Sequence, residues 1–264
     1  VNDLIDMKAD LELLRSAAAE AGRIAMGYFR RDPKVSWKAG MSPVTEADLH
    51  ADAYLRETLL AARPDYGWLS EETTDTAERL SRRRTFVVDP IDGTKAFIEG
   101  RDLWCVSVAI VEDGQSLAGI LDCPARNEVF EASRGQGSFL NGSRLAIGQA
   151  SPNPRLSGAR TFVSAYSAAT GAEPEHMPHI PSLAYRIAII ADGRLDATFI
   201  KPNSHDWDLA AADLVLTEAG GIVHRKDGVK PVYAGETTVH GILVAGNARL
   251  IPAMLGVVAD TAIG

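Results

Sequence analysis

Asp89 and Asp92 stand three residues apart, directly after the apolar run Thr85-Phe86-Val87-Val88 and directly before Gly93-Thr94. The β-branched content of that run reads as a buried strand that carries Asp89 to one end of a sheet. Pro90 has no N–H for a sheet ladder, so the strand is expected to end there and the chain to turn. The turn brings Asp92 round to face the same point as Asp89. Two carboxylates held that close repel each other unless a proton or a cation lies between them. Gly93-Thr94 falls at an expected helix start, where free backbone N–H groups can hold an anion. Paired acids beside an anion cradle are the chemistry of a divalent metal and a phosphate.

Two further acidic stretches close on element ends. Tyr66 to Leu69 reads as a short strand running into Ser70-Glu71-Glu72, and Asp206-Trp207-Asp208 opens a helix expected from Trp207 to Ala219. Taken alone, Asp208 reads as a helix cap and Glu71-Glu72 as a solvated turn. Two acids flanking a proline after four strand residues are harder to read as surface decoration. Other metal patterns fail on spacing: there is no EF-hand loop, no His-Glu-x-x-His and no Gly-Lys-Ser/Thr phosphate loop. His176 and His179 lack supporting cysteines and read as a surface loop. Arg82-Arg83-Arg84 reads as a solvated strand entrance.

The elements that must position these acids follow from periodicity. Residues 10 to 30 show an amphipathic helix ended by Asp32-Pro33. Val35 to Lys38 reads as a short strand and Ala39-Gly40-Met41-Ser42-Pro43 as a mobile loop. Thr45 begins a second helix with Asp48 as its capping-box partner, closed by Pro64. Cys105 to Val111, Ser116 to Asp122 and Glu128 to Ala132 read as an antiparallel meander, with turns at Asp113-Gly114 and Cys123-Pro124 and a hairpin at Asn141-Gly142. The Ser-, Pro- and Gly-rich stretch from Gly148 to Gly158 divides the chain into 1–147, which carries the meander and the first acids, and 148–264, which carries Asp208. The second part reads as a strand over Arg160 to Ala165, a loop over Thr170 to Ser182 and a helix over Leu183 to Ala191. A strand over Leu195 to Ile200, the Asp208 helix, strands at Gly221 and Gly241 and a closing helix from Ile251 follow. Helices alternating with strands suggest an α/β layer joined to the α+β first part.

Composition bounds the function. Of 264 residues, 46% are hydrophobic and 23% charged, ordinary for a globular protein. The net charge of −8 argues against a nucleic-acid surface, so an anionic substrate must be drawn in by local positive charge such as a bound metal. Cys105 and Cys123 are the only cysteines, which fits a reducing, cytoplasmic setting. No apolar run is long enough to span a membrane. Val1 in place of Met suggests a trimmed or replaced start, with Met7 an alternative.

Asp89-Pro90-Ile91-Asp92-Gly93-Thr94, the upstream Ser70-Glu71-Glu72, and Trp207-Asp208 ahead of Glu218-Ala219-Gly220-Gly221 together resemble the inositol monophosphatase superfamily. Ser42-Pro43-Val44-Thr45-Glu46-Ala47-Asp48 and Phe139-Leu140-Asn141-Gly142 are similar to further family segments, in the same order along nearly the whole chain. The resemblance implies a layered α-β-α-β-α sandwich, magnesium-dependent hydrolysis of a small phosphate monoester, and two or three Mg2+ ions. It implies metal ligation by Glu71, Asp89, the Ile91 carbonyl, Asp92 and Asp208, with Asp48 and Lys38 near a weaker site. Glu71 and Thr94 would orient the attacking water, and Gly93 and Thr94 N–H groups would contact phosphate. Asp92, Asp208 and Lys201 would also face the substrate. Lys201 stands where inositol-selective members carry a glutamate, while Lys95-Ala96-Phe97-Ile98 is closer to relatives acting on 3′,5′-bisphosphonucleotides or histidinol phosphate. The resemblance further implies a homodimer and lithium sensitivity, and leaves a non-catalytic role beside the transcription machinery as a rival.

Overall fold

The first layer opens on helix α1 (Asn2–Met26), whose buried Leu14, Ala17, Ala18, Ala21 and Ala25 recur at three- and four-residue steps. The computed structural model describes residues 2–38 and 42–259; the loop expected over Ala39-Gly40-Met41 lies outside them. α1 begins before residue 10 and stops short of residue 30, because turns follow Met26 and Arg30 takes a left-handed φ of 59°. The antiparallel pair β1 (Val35–Trp37) and β2 (Pro43–Thr45) comes next, so Pro43 belongs to a strand and not to the expected loop. Thr45 caps α2 (Glu46–Ala62): its hydroxyl accepts from the Ala47 and Asp48 N–H groups, and Asp48 accepts from its N–H in return.

A seven-stranded sheet then runs in chain order through β3 (Gly67–Ser70), β4 (Arg84–Asp92), β5 (Cys105–Glu112), β6 (Gln115–Cys123), β7 (Glu128–Ser133), β8 (Gly137–Leu140) and β9 (Ser143–Arg144). The short helix α3 (Thr94–Ile98) separates β4 from β5. Asp113-Gly114 and Asn141-Gly142 all have positive φ, as two-residue hairpin turns demand.

The end expected for β4 at Pro90 is corrected. The strand continues to Asp92, and its ladder with β5 passes from Asp89 opposite Ser107 to Asp92 opposite Cys105. One extra residue therefore sits on β4. Pro90 lies in this bulge, where no ladder donor is required of it. Arg84 is likewise not solvated: it starts β4 beneath α1, donating to Glu112, to the Tyr66 hydroxyl and to buried Asp10.

The second part contains β10 (Arg155–Ser157), α4 (Arg160–Thr170), β11 (Glu175–His176), α5 (Leu183–Ala191), β12 (Ala197–Ile200), β13 (Ser204–His205) and α6 (Asp206–Glu218). β14 (Gly221–Arg225), β15 (Val239–His240), β16 (Leu243–Asn247) and α7 (Ile251–Ala259) complete it. The five-stranded mixed sheet has the order β11-β10-β12-β16-β14. The strand expected over residues 160–165 is instead the start of α4. Burial of Val163 and Tyr166 on one helical face, against the core that also holds Met254 and Val258 of α7, outweighs the β propensity of Thr-Phe-Val. Within the expected 170–182 loop, Glu175 and His176 form an edge strand.

Five layers result. Leu14, Leu55 and Leu59 of α1 and α2 pack on Phe86, Ile110 and Ile120 of the larger sheet. α5 and α6 fill the space between the sheets, where Leu121, Ile187, Leu209, Leu216 and Leu243 share one core. α4 and α7 cover the outer face of the smaller sheet around Phe199. This is an α-β-α-β-α sandwich. Among the described residues no helix is long and apolar enough to cross a membrane.

α6 lies unusually close to the larger sheet because Gly119 of β6 has no side chain. A Cβ there would stand 3.0 Å from the Ala211 Cα and 3.2 Å from its Cβ. Gly119→Val is expected to push α6 outward and cost about 1–3 kcal/mol of stability by overpacking, read as a lowered urea midpoint. An unchanged midpoint would show that the close approach does not matter.

Candidate metal centre

The bulge in β4 and the first turn of α6 bring Asp89, Asp92 and Asp208 together. Each offers one carboxylate oxygen, and the three oxygens lie within 4.8 Å of one another. A polar tie joins the two elements: Ser107, directly opposite Asp89 on β5, donates its hydroxyl to the Trp207 carbonyl of α6 at 3.0 Å. Ser116 donates to the Ala210 carbonyl one turn on, at 2.7 Å.

One oxygen of each aspartate is committed to the protein. Asp89 Oδ1 accepts from the Ile91 N–H at 2.9 Å. Asp92 Oδ2 accepts from the Ser182 hydroxyl and the Ala184 N–H, both at 2.6 Å. Asp208 Oδ2 accepts from the His205 N–H at 2.7 Å, so Asp208 is a helix cap as well as a member of the cluster. Asp92 is also held by the Leu183 N–H, and no lysine or arginine forms an ion pair with any of the three, among the described residues. Three hard oxygen donors so arranged fit a magnesium-like cation.

Their electrostatics agree. Burial, then the charges of Glu71, Asp92 and Asp208, push the Asp89 carboxyl well above the usual range. Burial and then Asp92 do the same to Asp208, against the His205 N–H. Burial raises Asp92 to about 6 although Ser182 and the Ala184 N–H favour its ionised form. Buried carboxylates crowded this way bind protons when no other cation is present.

The other expected residues ring this centre. Glu71 follows β3, its N–H on the Val88 carbonyl at 3.2 Å. Its Oε1 meets Lys38 Nζ at 2.9 Å, and the same ammonium meets Glu72 at 2.7 Å. Burial raises Glu72 to about 7. Thr94 Oγ1 lies 3.2 Å from Asp48 Oδ1 and 3.1 Å from the Ile91 carbonyl oxygen; burial raises Asp48 to about 6. Gly93 has φ 98°, and a Cβ on it would stand 2.9 Å from the Leu103 carbonyl oxygen. Lys201 is exposed, on the rim of a cleft of about 310 Å³ that also includes Asp208. Asp89, Asp92 and Asp208 thus form the tight set, with the Glu71 charge felt at Asp89, Asp48 and Thr94 joined to it through the Ile91 carbonyl and Lys201 sharing a cleft with Asp208.

Sequence reasoning missed Ser182, Ser107 and Arg186. Ser182 was legible as the residue before a helix, and it does cap α5 through the Tyr185 N–H at 3.0 Å. Its hold on Asp92, ninety residues away, has no local signal. Arg186 had one: it is the single charge in the run Leu183-Ala184-Tyr185-Arg186-Ile187-Ala188-Ile189-Ile190-Ala191.

The chain belongs to the inositol monophosphatase family, whose model matches residues 6–255. It is 33% identical to an inositol-1-monophosphatase of Mesorhizobium japonicum, covering 93% of this chain and 94% of that one. It is 32% identical to a histidinol-phosphatase of Chlorobaculum parvum, covering 92% and 94%. Among solved structures it is similar to the extragenic suppressor protein suhB of Bartonella henselae, with a TM-score of 0.83 and 26% identity over 96% of this chain and all of that one. The chain is accordingly a phosphatase, a hydrolase of phosphate monoesters.

The raised carboxyls fix the sign of a pH effect. A carboxyl near 6 when folded and about 4 when unfolded binds more protons in the native state, so stability is highest below the lower value and falls as pH rises through the window. Three histidines held below their ordinary value by burial, His179, His205 and His224, contribute with the opposite sign, so the carboxyl share is read by difference. Magnesium is expected to raise the melting temperature above its value in chelator, and by more at pH 7 than at pH 4.5. An equal or smaller magnesium shift at pH 7 would contradict this.

Proposed function

We propose that the chain is a magnesium-dependent phosphomonoesterase that releases inorganic phosphate from a small, inositol-phosphate-like monoester by direct attack of water. The observation that carries the reading is the convergence of Asp89, Asp92 and Asp208, each offering a carboxylate oxygen within 4.8 Å of the others. Two or three magnesium ions held by these aspartates, Glu71 and the Ile91 carbonyl would supply positive charge for the phosphoryl oxygens and acidify water. Asp48, with Lys38 nearby, would serve the weaker site.

The residues themselves then position the reaction. Glu71 and Thr94 hold the attacking water, Thr94 being oriented by Asp48 and the Ile91 carbonyl. The Gly93 and Thr94 N–H groups receive phosphoryl oxygens; the left-handed glycine leaves the first turn of α3 open to them. The water oxygen bonds to phosphorus as the ester P–O bond breaks on the opposite side; the water gives up one proton to solvent and the departing alcohol oxygen takes one up from it, so that alcohol and phosphate are released. No protein nucleophile takes part.

The alcohol is the open term. Inositol monophosphates, 3′(2′),5′-bisphosphonucleotides and histidinol phosphate are the candidates, and Lys201 in place of a glutamate turns the preference from inositol toward an alcohol with an anionic group. A homodimer, lithium sensitivity and a cytoplasmic setting belong to the same reading. A rival role as a non-catalytic partner of the transcription machinery would leave the acids without work; their completeness, together with Thr94, supports catalysis.

Asp89→Asn keeps the acceptor for the Ile91 N–H and removes a charge from the cluster. It is expected to lower magnesium-dependent phosphate release by about a hundred-fold or more while the circular dichroism spectrum is unchanged. Undiminished release at limiting magnesium would remove Asp89 from the ligand set.

A further inference from the structure

Arg186 sits in the first turns of α5, between the two sheets, with 9% of its surface exposed. Its Nε is buried and has no hydrogen-bond partner among the described residues. Burial lowers its hold on its proton, and Asp92 and Asp208 oppose this only at a distance, with no hydrogen bond to either. A guanidinium carries five donors in a flat fork matched to a carboxylate or a phosphate. Burying it without a partner is costly, and packing alone would be better served by methionine or leucine.

Its surroundings say what it faces. Arg186 lines the cleft of about 310 Å³ together with Asp208, Leu183, His179, Asn203 and Lys201, whereas Asp89, Gly93 and Thr94 do not line it. The cleft thus reaches the acid cluster at Asp208 without including the residues expected to hold water and phosphate, which leaves it for the alcohol part of a monoester. This wall is cationic: after burial, the charges of Arg186, Arg101, Lys201 and Lys95 hold the His179 imidazole below its ordinary value. A chain with net charge −8 has gathered positive side chains beside its most acidic site.

We propose that Arg186, with Lys201 at the rim, binds a second anionic group carried by the alcohol part of the substrate, and so selects against monoesters whose alcohol bears an ammonium. This rests on the phosphatase reading above and narrows it. A carboxylate and a second phosphate share the required chemistry; a cationic alcohol such as that of histidinol phosphate meets repulsion.

The test is kcat/KM with magnesium on two matched pairs: 2-phosphoglycerate against glycerol 2-phosphate, and adenosine 3′,5′-bisphosphate against adenosine 3′-monophosphate. Histidinol phosphate serves as the cationic alcohol. At least one anionic member is expected to exceed its partner by about tenfold, equivalent to about 1.4 kcal/mol; the pair that does so separates the carboxylate from the phosphate. Arg186→Met is expected to bring that ratio close to one, chiefly through KM, and Arg186→Lys to keep part of it. Should Arg186→Met fail to fold, Arg186→Lys and the exposed Lys201→Ala carry the test, each lowering the ratio. Ratios of one or less on both pairs, a preference for histidinol phosphate, or a ratio that survives these substitutions would overturn the proposal. Absence of magnesium-dependent release from every ester would instead bring down the phosphatase reading itself.

Discussion

Repulsion among crowded carboxylates, Asp89 and Asp92 buried and Asp208 half-buried, is the constraint around which the site is built. Asp89, Asp92 and Asp208 come from two distant elements, face one point and have no cationic side chain among them. In water such charges would separate; here the sheet, the bulge and the α6 cap hold them. The cost is visible in their raised proton affinities and is offset by the large inter-sheet core on which α6 rests. Rigid packing is what makes such a site possible, because a loose frame would relieve the repulsion by moving apart.

The scaffold divides that labour between backbone and side chains. The β4 bulge lets Asp89 and Asp92 share a side despite their three-residue spacing. Gly119 allows α6 to approach the sheet, and two serine hydroxyls fix its carbonyls there. On the far side of α6, Asp206 accepts from the Ala234 N–H at 2.6 Å and meets His240 Nε2 at 2.7 Å, while Arg79 reaches the Ala234 and Gly235 carbonyls. The helix that presents Asp208 is thereby tied at its start to both parts of the chain.

The meander, the α5 and α6 helices, the Thr45–Asp48 capping box and the pairing of Asp89 with Asp92 were legible in the sequence because each leaves a local mark: alternation, a turn dipeptide, a cap or a break. Residues 160–165 misled because Thr-Phe-Val favours a strand in isolation and only packing in the outer core makes it helical. Pro90 misled because a proline ends a strand except at a bulge, and bulges are set by the partner strand. That Asp208 joins the cluster is invisible locally; its local appearance, a helix cap, is also true. The holds of Ser182 on Asp92 and of Ser107 on α6 could not be read, since they reach residues about a hundred positions away.

The committed oxygens of the three aspartates carry one more consequence. Because each side chain is already held by a backbone N–H, the opening between the remaining oxygens has little room to dilate. Magnesium–oxygen bonds run about 2.0–2.1 Å, whereas calcium takes more ligands at about 2.3–2.6 Å. On the reading proposed above, these tethers would make ionic radius, and not charge alone, a criterion for what the frame seats, since a larger ion of equal charge would have to stretch the backbone bonds to all three side chains.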